Sequence, residues 1–267
     1  IARVVGMVDS PQTSSRQLGE EIAKDQVLTA KVLKLINSPY YGIPGEVTDV
    51  QRALAYLGFN TLAQLILSVS VISMFQNPGN TGFSLYEFWK HALGTAVASE
   101  TIAKRIKYPR PEECFTCGLL HDIGKLVLLQ VSPEDFVKVV QAAERERISF
   151  TAAEKKLEVP PHGYLGEYIA NKWRLPQVIR VSIRYHHFDV RDMGTILDSM
   201  KPAVQIVSLA NQLVIRESIG SSGDMSGGHV GEDLLQPLGL GAQEIPEIAE
   251  KVKTEMDNVT AFLRSAA

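Results

Sequence analysis

Residues 114–127 read Cys-Phe-Thr-Cys-Gly-Leu-Leu-His-Asp-Ile-Gly-Lys-Leu-Val, and they hold the strongest chemical signal in the chain. His121 and Asp122 place two potential ligands of a divalent metal side by side at the end of an apolar run. Lys125 follows His121 by four residues, which is about one turn of an α-helix. The stretch therefore predicts a cation site with an ammonium group beside it that faces an anion.

The histidines extend this prediction. A single histidine in a helical protein is more often a hydrogen-bonded core or surface residue than a ligand, so the argument depends on the whole set. Imidazoles that converge with one carboxylate suit Mn, Fe or Mg better than a structural zinc, which prefers tighter thiolate or histidine sets. Five of the six histidines lie in segments with a helical pattern, namely His91, His121, His162, His186 and His187.

The composition indicates a folded protein with a sizeable core. The 267 residues are 45% hydrophobic, which suits one large domain or two modest ones. A net charge of −3, from 27 basic and 30 acidic residues, gives no basic surface for a phosphate backbone. Nucleic-acid binding is therefore disfavoured as a main role.

A membrane span and secretion are not expected either. The longest apolar run, residues 62–75, contains Gln64 and three serines and is shorter than the roughly 18–20 residues that a span needs. The first three residues open into a mixed segment, so no signal peptide is expected. A disulfide between Cys114 and Cys117 would distort the predicted helix, so we expect small core thiols, rather than a redox motif, in a reducing compartment such as the cytoplasm.

Helical patterns run through the whole chain, and the period-2 alternation of strands does not persist anywhere. The fold is therefore predicted to be all-α. Stretches rich in Gly, Pro, Asn and Ser divide the chain into an N-terminal helical subdomain (1–80), a helical core (83–217) and a Gly-rich loop with a C-terminal helix (218–267). The segment 218–231, which contains His229, is expected to be a mobile loop.

Capping residues set several expected helix boundaries. Thr48 is expected to cap a helix that Gly58 ends, and Ser84 is expected to open the first helix of the core. Residues 151–154, Thr-Ala-Ala-Glu, read as a capping box, in which the Glu154 carboxylate would satisfy an amide at the start of its own helix.

Several short segments, in order along the chain, resemble the HDOD family, the HD-related output domains of bacterial signalling proteins. This family lies within the HD superfamily of metal-dependent phosphohydrolases. The resemblance covers near 200 residues, to about residue 215. It rests on DQVLTAKVLKLINS at 25–38, ALAYLG at 53–58, GLLHDIGK at 118–125, HGYLG at 162–166, WRLP at 173–176 and the pair His186-His187.

The resemblance implies an all-α fold in which a helical N-terminal subdomain packs on an HD-like helical core. It also implies a regulatory role. Lys125 matches a lysine that faces substrate phosphate in the HD enzymes. Where those enzymes place a closing Asp ligand, this chain has Asn211, a neutral and weaker donor. The metal ligands of those enzymes match His91, His121, Asp122, His162, His186 and His187.

Two functions from different classes remain open. The first is a signal-transduction output domain with a partly retained site for Fe, Mn or Mg, no efficient catalysis and a protein signalling partner. The second is a metal-dependent phosphohydrolase or phosphodiesterase that acts on a nucleotide or phosphate ester, with Asp122 and Lys125 as catalytic residues. The five histidines favour the second.

We prefer the first function for two reasons. Asn211 removes a carboxylate that a two-metal site needs for bridging and charge balance. The Gly-Tyr-Pro element of the cyclic-dinucleotide phosphodiesterases is missing after His187, where the chain reads Phe-Asp-Val-Arg. Simpler structural roles also remain open, with Asp122 as a buried hydrogen-bond acceptor and Lys125 as a favourable charge at a helix C-terminus.

Overall fold

The computed structural model describes residues 7, 13–75, 82–188, 193–194 and 196–266, and within these residues the protein consists of helices and connecting segments without a strand. The predicted all-α fold is confirmed. The chain divides into two compact units, one of residues 1–76 with 254–267 and one of residues 77–253. The three-part division at residues 80 and 218 stays a prediction.

The first unit begins each of its described α-helices with a side-chain cap. Ser14 and Asp25 cap the first two helices. Asp49, rather than the expected Thr48, caps the third, because its extended backbone lets its carboxylate accept the amide of Arg52 at 2.8 Å. Gly58 breaks this third helix with φ of 75°, as the sequence predicted. The helices are α1 (Ser15–Ile22), α2 (Gln26–Ile36) and α3 (Val50–Ile72).

Two helical segments are long and apolar enough to cross a membrane by length and composition. They are Val50–Ile72 and Pro111–Val131 in the part of the chain that the structure describes. The expectation that no segment reaches this threshold is therefore wrong. However, 56% and 83% of their apolar windows are buried inside the protein, and core helices pass the same test for that reason.

The second unit contains the remaining described helices. Ser84 caps the first of them, as expected, because its hydroxyl accepts the amide of Glu87. The helices are α4 (Leu85–Arg105), α5 (Pro111–Leu120), α6 (Ile123–Val131), α7 (Pro133–Glu146), α8 (Phe150–Lys156), α9 (His162–Lys172), α10 (Gln177–Tyr185), α11 (Lys201–Arg216), α12 (Glu232–Leu235) and α13 (Ile245–Ala266), whose residues from Thr254 onward belong to the first unit.

Two glycines let helices of the second unit approach closely. A Cβ on Gly118 in α5 would lie 2.6 Å from the Thr95 carbonyl oxygen in α4. A Cβ on Gly124 in α6 would lie only 1.8 Å from the carbonyl oxygen of His162 in α9. Because only glycine fits at these contacts, α5 lies directly against α4, and α6 lies directly against the start of α9.

The two cysteines are free thiols in the core, as predicted. Cys114 and Cys117 are both fully buried. Burial raises the pKa of the Cys114 thiol far above its usual range and raises the pKa of Cys117 to about 12. Both side chains are therefore neutral and unreactive at physiological pH.

The segment 218–231 is held in place by hydrogen bonds and is not the loose loop that its composition suggested. The Ser221 amide donates to the Glu87 carbonyl at 3.0 Å, and the Met225 amide donates to the Ile148 carbonyl at 3.3 Å. The His229 amide donates to a Gln212 side-chain oxygen at 2.7 Å. Two of its glycines allow close approach, since a Cβ on Gly220 would lie 2.3 Å from the His91 backbone nitrogen and one on Gly228 would lie 2.5 Å from the Arg216 backbone nitrogen.

Candidate metal centre

The predicted ligands come from the ends and inner faces of five helices. His91 lies on the buried face of α4, and the pair His121-Asp122 separates α5 from α6. The sequence placed a helix end near Gly124, but the helical geometry breaks earlier, at Asp122 with φ of −97° and ψ of 9°. His162 begins α9, the pair at 186 and 187 follows α10, and Asn211 lies on α11.

Asp122 is the centre of the arrangement. Its Oδ1 lies 3.3 Å from His162 Nε2 and 3.5 Å from His186 Nε2. Its Oδ2 lies 3.3 Å from His121 Nε2 and 3.8 Å from His91 Nε2. None of these side chains is more than 3% exposed. One carboxylate therefore faces two groups of imidazoles in the interior of the protein.

We call the two groups the His162 side (His162, His186 and His187) and the His91 side (His91 and His121). On each side, the donor atoms and an Asp122 oxygen all lie within 4.8 Å of one another. On the His162 side, Nε2 of His162 is 3.2 Å from Nε2 of His187 and 3.5 Å from Nε2 of His186. Ligands that share one ion through bonds of about 2.0–2.1 Å lie about 3.0–3.4 Å apart. These separations match a shared cation.

Backbone carbonyls orient two of the imidazoles. Nδ1 of His121 lies 2.6 Å from the Gly118 carbonyl oxygen, and Nδ1 of His186 lies 3.0 Å from the Ile183 carbonyl oxygen. A carbonyl can only accept, so Nδ1 of each ring donates to it and Nε2 is the atom that faces Asp122. Metal-ligating histidines typically donate their other ring N–H to a carbonyl or carboxylate in this way.

Glu154 orients a third imidazole, and the sequence interpretation missed this role. Its carboxylate accepts the backbone amide of His162 at 2.7 Å and lies 3.0 Å from His162 Nδ1. The capping box predicted at residues 151–154 is wrong, because Ser149 caps α8 and Glu154 turns to His162 instead. One feature of the sequence could have revealed this role. Glu154 lies four residues after Phe150, so the two side chains share the buried face of α8. A buried carboxylate requires a partner.

Lys125 does not face an anion from solution. Its ammonium donates to Asp122 Oδ2 at 2.8 Å and to the Ser222 hydroxyl at 3.1 Å. It also lies 4.6 Å from the centre of the Phe150 ring. Lys125 is 1% exposed. The local sequence does not contain this arrangement, because Ser222, which accepts the second hydrogen bond, lies 97 residues away in the segment 218–231.

Burial lowers the pKa of three imidazoles in the centre. Burial lowers the pKa of His91 to about 3 and that of His186 to about 4, and it also lowers the pKa of His187 well below its usual value. These imidazoles are therefore neutral and able to donate lone pairs at neutral pH.

The other two groups owe their pKa shifts to charged neighbours. Burial alone would lower the pKa of His162, but the Glu154 carboxylate and the hydrogen bond to Asp122 raise it to about 9. Burial alone would raise the pKa of Asp122, but His121 and Lys125 hold it well below its usual range. In the absence of a metal, His162 thus carries the proton that a cation would displace.

Unsatisfied polar atoms indicate that the residues fit a divalent metal. Nε2 of His91, Nε2 of His121 and Oδ1 of Asn211 are buried and have no hydrogen-bond partner among the described residues. Buried polar atoms without partners are costly, and several at one point are characteristic of a missing ion or water. Asn211 also faces His91, whose pKa it raises against the effect of burial. The structure therefore brings all seven predicted metal ligands together, whereas the exposed pair His229 and Asp233 lies elsewhere.

The fold and this cluster define an all-α domain with a buried histidine–aspartate centre that can hold a metal. A model of the HDOD domain matches residues 1–188. The chain therefore belongs to the HDOD family. An uncharacterised protein of Treponema pallidum is 24% identical over 208 residues, which are 78% of this chain and 39% of that protein. The chain thus spans well under half the length of this curated relative.

Solved structures share the fold. An HDOD domain protein of unknown function from Geobacter sulfurreducens is 25% identical, with a TM-score of 0.71 over 99% of this chain and 89% of that one. A candidate phosphohydrolase from Shewanella amazonensis is 21% identical, with a TM-score of 0.76 over 100% and 92% of the two chains. A candidate signal transduction protein from Marinobacter aquaeolei is also 21% identical, with a TM-score of 0.80 over 99% and 58%.

Proposed function

We propose that this chain is a regulatory output domain of a signalling protein, and that its centre holds one or more divalent ions without efficient catalysis. The observation that carries the proposal is the burial of Asp122 and Lys125, each 1% exposed. Lys125 is hydrogen-bonded to Asp122 and Ser222, and its ammonium lies 4.6 Å from the centre of the Phe150 ring, so a substrate phosphate would have to displace these contacts. A general acid or base must lie within hydrogen-bond reach of its substrate.

The ligand set supports the same proposal. Asp122 is the single carboxylate among the predicted ligands, and Asn211 contributes a neutral oxygen. A metal held by Asp122 and the histidines would tie together the helices α4, α5, α9 and α10, and when bound it could also polarise a water molecule. With one carboxylate to balance the charge, we assign the ion a stabilising role within the regulatory domain.

A regulatory role in a larger protein agrees with the relatives. The chain covers 39% of the Treponema pallidum relative and 58% of the structure named as a candidate signal transduction protein. We propose a protein partner at the surface of α9, where Tyr164 and Tyr168 are 52% and 62% exposed. Exposed tyrosines one helical turn apart are typical of protein interfaces. The buried free thiols support a reducing compartment, and we place the protein in the cytoplasm.

A metal-dependent phosphohydrolase is the second candidate, and one observation favours it. His187 is only partly buried, unlike the other ligands, so the His162 side has an approach from solvent. A nucleotide or phosphate ester that reached this side would meet His187 before Asp122. In that reaction Asp122 or a histidine would accept a proton, and Lys125 would have to leave Asp122 to contact the phosphate.

Metal content and turnover, measured on the same preparation, separate the two functions. The purified chain is loaded with Mn²⁺ or Fe²⁺ and incubated with a generic phosphodiester and with cyclic dinucleotides. We expect bound metal without turnover in both the natural chain and the His121→Ala variant. Turnover by the natural chain that is lost in His121→Ala would contradict the regulatory proposal and establish the phosphohydrolase.

A further inference from the structure

We infer that the protein partner of this domain presents acidic side chains around an apolar contact, and that it binds to one aromatic and basic surface of α9 and α10. This inference deepens the proposed function, since it rests on the regulatory role and names the chemistry of the partner. All residues of the surface belong to the unit of residues 77–253. We call it the α9–α10 patch, and its members are Tyr164, Tyr168, Lys172, Arg184, Tyr185 and Phe188.

The aromatic rings of the patch adjoin one another and are open to solvent. Tyr164, Tyr168 and Phe188 are 52%, 62% and 41% exposed. The Tyr185 ring lies 5.2 Å from the Phe188 ring. The Arg184 guanidinium lies over the Tyr164 ring and 5.4 Å from the centre of the Tyr185 ring. Because Tyr and Arg are enriched where partner proteins gain most of their binding energy, the patch has the composition of the centre of an interface.

The charge of this part of the chain is positive, although the whole chain has a net charge of −3. Lys172 is exposed, and its ammonium lies 5.4 Å from the centre of the Tyr168 ring. Within residues 162–185 the one carboxylate is Glu167, which lies 3.5 Å from the Arg184 guanidinium. The same residues contain four basic side chains, Lys172, Arg174, Arg180 and Arg184. A surface with this balance attracts carboxylates and repels basic partners.

The balance of rings and charges favours a protein over a nucleic acid. Nucleic acids are held mainly by many phosphate contacts along a basic face. In the patch, two cations adjoin the rings, and Arg184 is only 11% exposed and already pairs with Glu167. Lys172 at the edge can meet a carboxylate, while the exposed tyrosines contact apolar side chains. This arrangement matches the apolar core and polar rim of protein interfaces.

The patch also lies at the helix ends that carry metal ligands. Tyr164 follows His162 by two residues, and Tyr185 directly precedes the paired histidines. A Cβ on Gly163 would lie 2.9 Å from the Arg184 carbonyl oxygen, so α9 and α10 are in direct backbone contact here. A partner at the patch would therefore contact the same helix ends that hold the ligands of the His162 side.

Unbiased selection of peptides tests the inference without reference to activity. A random peptide library displayed on phage is selected on the full chain, and the Kd of each enriched peptide is measured by fluorescence polarisation. We expect peptides in which Asp and Glu adjoin apolar residues. Tyr168→Ser should weaken their binding about tenfold, and Lys172→Glu about threefold. The controls Tyr56→Ser and Lys138→Glu, at side chains that are 48% and 60% exposed, should bind like the natural chain.

Several results would overturn the inference. They are a lack of enriched peptides, enriched peptides without acidic residues, and equal binding by the natural chain and Tyr168→Ser. A dimer of the natural chain that Tyr168→Ser dissociates, measured by analytical ultracentrifugation, would also overturn it, because the patch would then contact a second copy. Turnover that is lost in His121→Ala, with peptide binding that still depends on Tyr168, would overturn only the proposed function.

Discussion

At the residue scale, Glu154 and two backbone carbonyls hold imidazoles of the centre in place. Glu154 holds both the backbone amide and the ring of His162. The order of His121, Asp122 and the paired histidines in the sequence predicted which side chains meet at the centre. It did not identify Glu154, because the pattern of residues 151–154 equally describes a capping box. The partner of Lys125 was also hidden, because Ser222 lies 97 residues away.

The first expected outcome concerns Glu154. Glu154→Gln removes the negative charge that orients His162 and raises its basicity, so metal affinity should fall about 10- to 100-fold. Titration calorimetry with Mn²⁺ measures the change. Glu158→Gln is the matched control, because Glu158 is exposed and only four residues away. Equal affinities in the two variants would show that Glu154 does not support the metal.

The second expected outcome concerns Asn211. Asn211→Asp adds a carboxylate next to His91, where it offsets positive charge, so metal binding should tighten. Gln212→Glu is the control, because it introduces the same charge one residue further along α11, where the natural side chain accepts the His229 amide. Both variants are titrated with Mn²⁺ in the calorimeter. Tighter binding in both variants would indicate a general effect of charge, and unchanged binding in Asn211→Asp would show that position 211 does not serve the site.

At the element scale, helix contacts set the distances between ligands. The sequence predicted the caps at Asp25 and Ser84 and the break at Gly58, because these depend on neighbouring residues. It did not predict the order of the segment 218–231. Composition suggested mobility there, whereas Gly220 and Gly228 allow the backbone to lie against α4 and α11. Whether a Gly-rich segment is loose or packed depends on tertiary contacts that a local pattern does not contain.

The third expected outcome concerns the contact between α6 and α9. Gly124→Ala would place a Cβ 1.8 Å from the His162 carbonyl oxygen, which the backbone can relieve only by moving α9. We expect a loss of about 3 kcal/mol in the free energy of unfolding, together with weaker metal binding. Gly241→Ala is the control, since its Cβ would meet only the flexible Gln243 side chain. Urea unfolding of the two variants measures the difference, and similar stabilities would contradict the close contact.

At the scale of the whole molecule, the centre links stability to pH. In the unfolded chain a histidine has a pKa near 6.5, whereas burial lowers the pKa of His91 to about 3 and that of His186 to about 4. At a pH between the folded and the unfolded pKa of each histidine, the unfolded state binds more protons than the folded state. The free energy of unfolding therefore falls as the pH drops below 6.5. His162 acts in the opposite direction. With a pKa of about 9, its contribution is complete below pH 6.5 and is lost as the pH rises to 9.

The fourth expected outcome follows from these signs. The metal-free chain should be most stable near pH 6.5 and should lose up to about 1.4 kcal/mol per pH unit for each buried neutral histidine at lower pH. Urea unfolding at pH 5, 6.5 and 8 measures the profile. His229→Gln should leave it unchanged, because His229 is 74% exposed. A flat profile would contradict the buried, neutral state of the imidazoles.

The central claim is that the buried centre around Asp122 holds a divalent metal. X-ray diffraction from crystals of the Mn²⁺-loaded chain, recorded at the manganese absorption edge, tests this claim most directly. We expect an anomalous peak between Asp122 and the imidazoles of the His162 side or of the His91 side. No peak at this centre, or a peak only at the exposed pair His229 and Asp233, would contradict it.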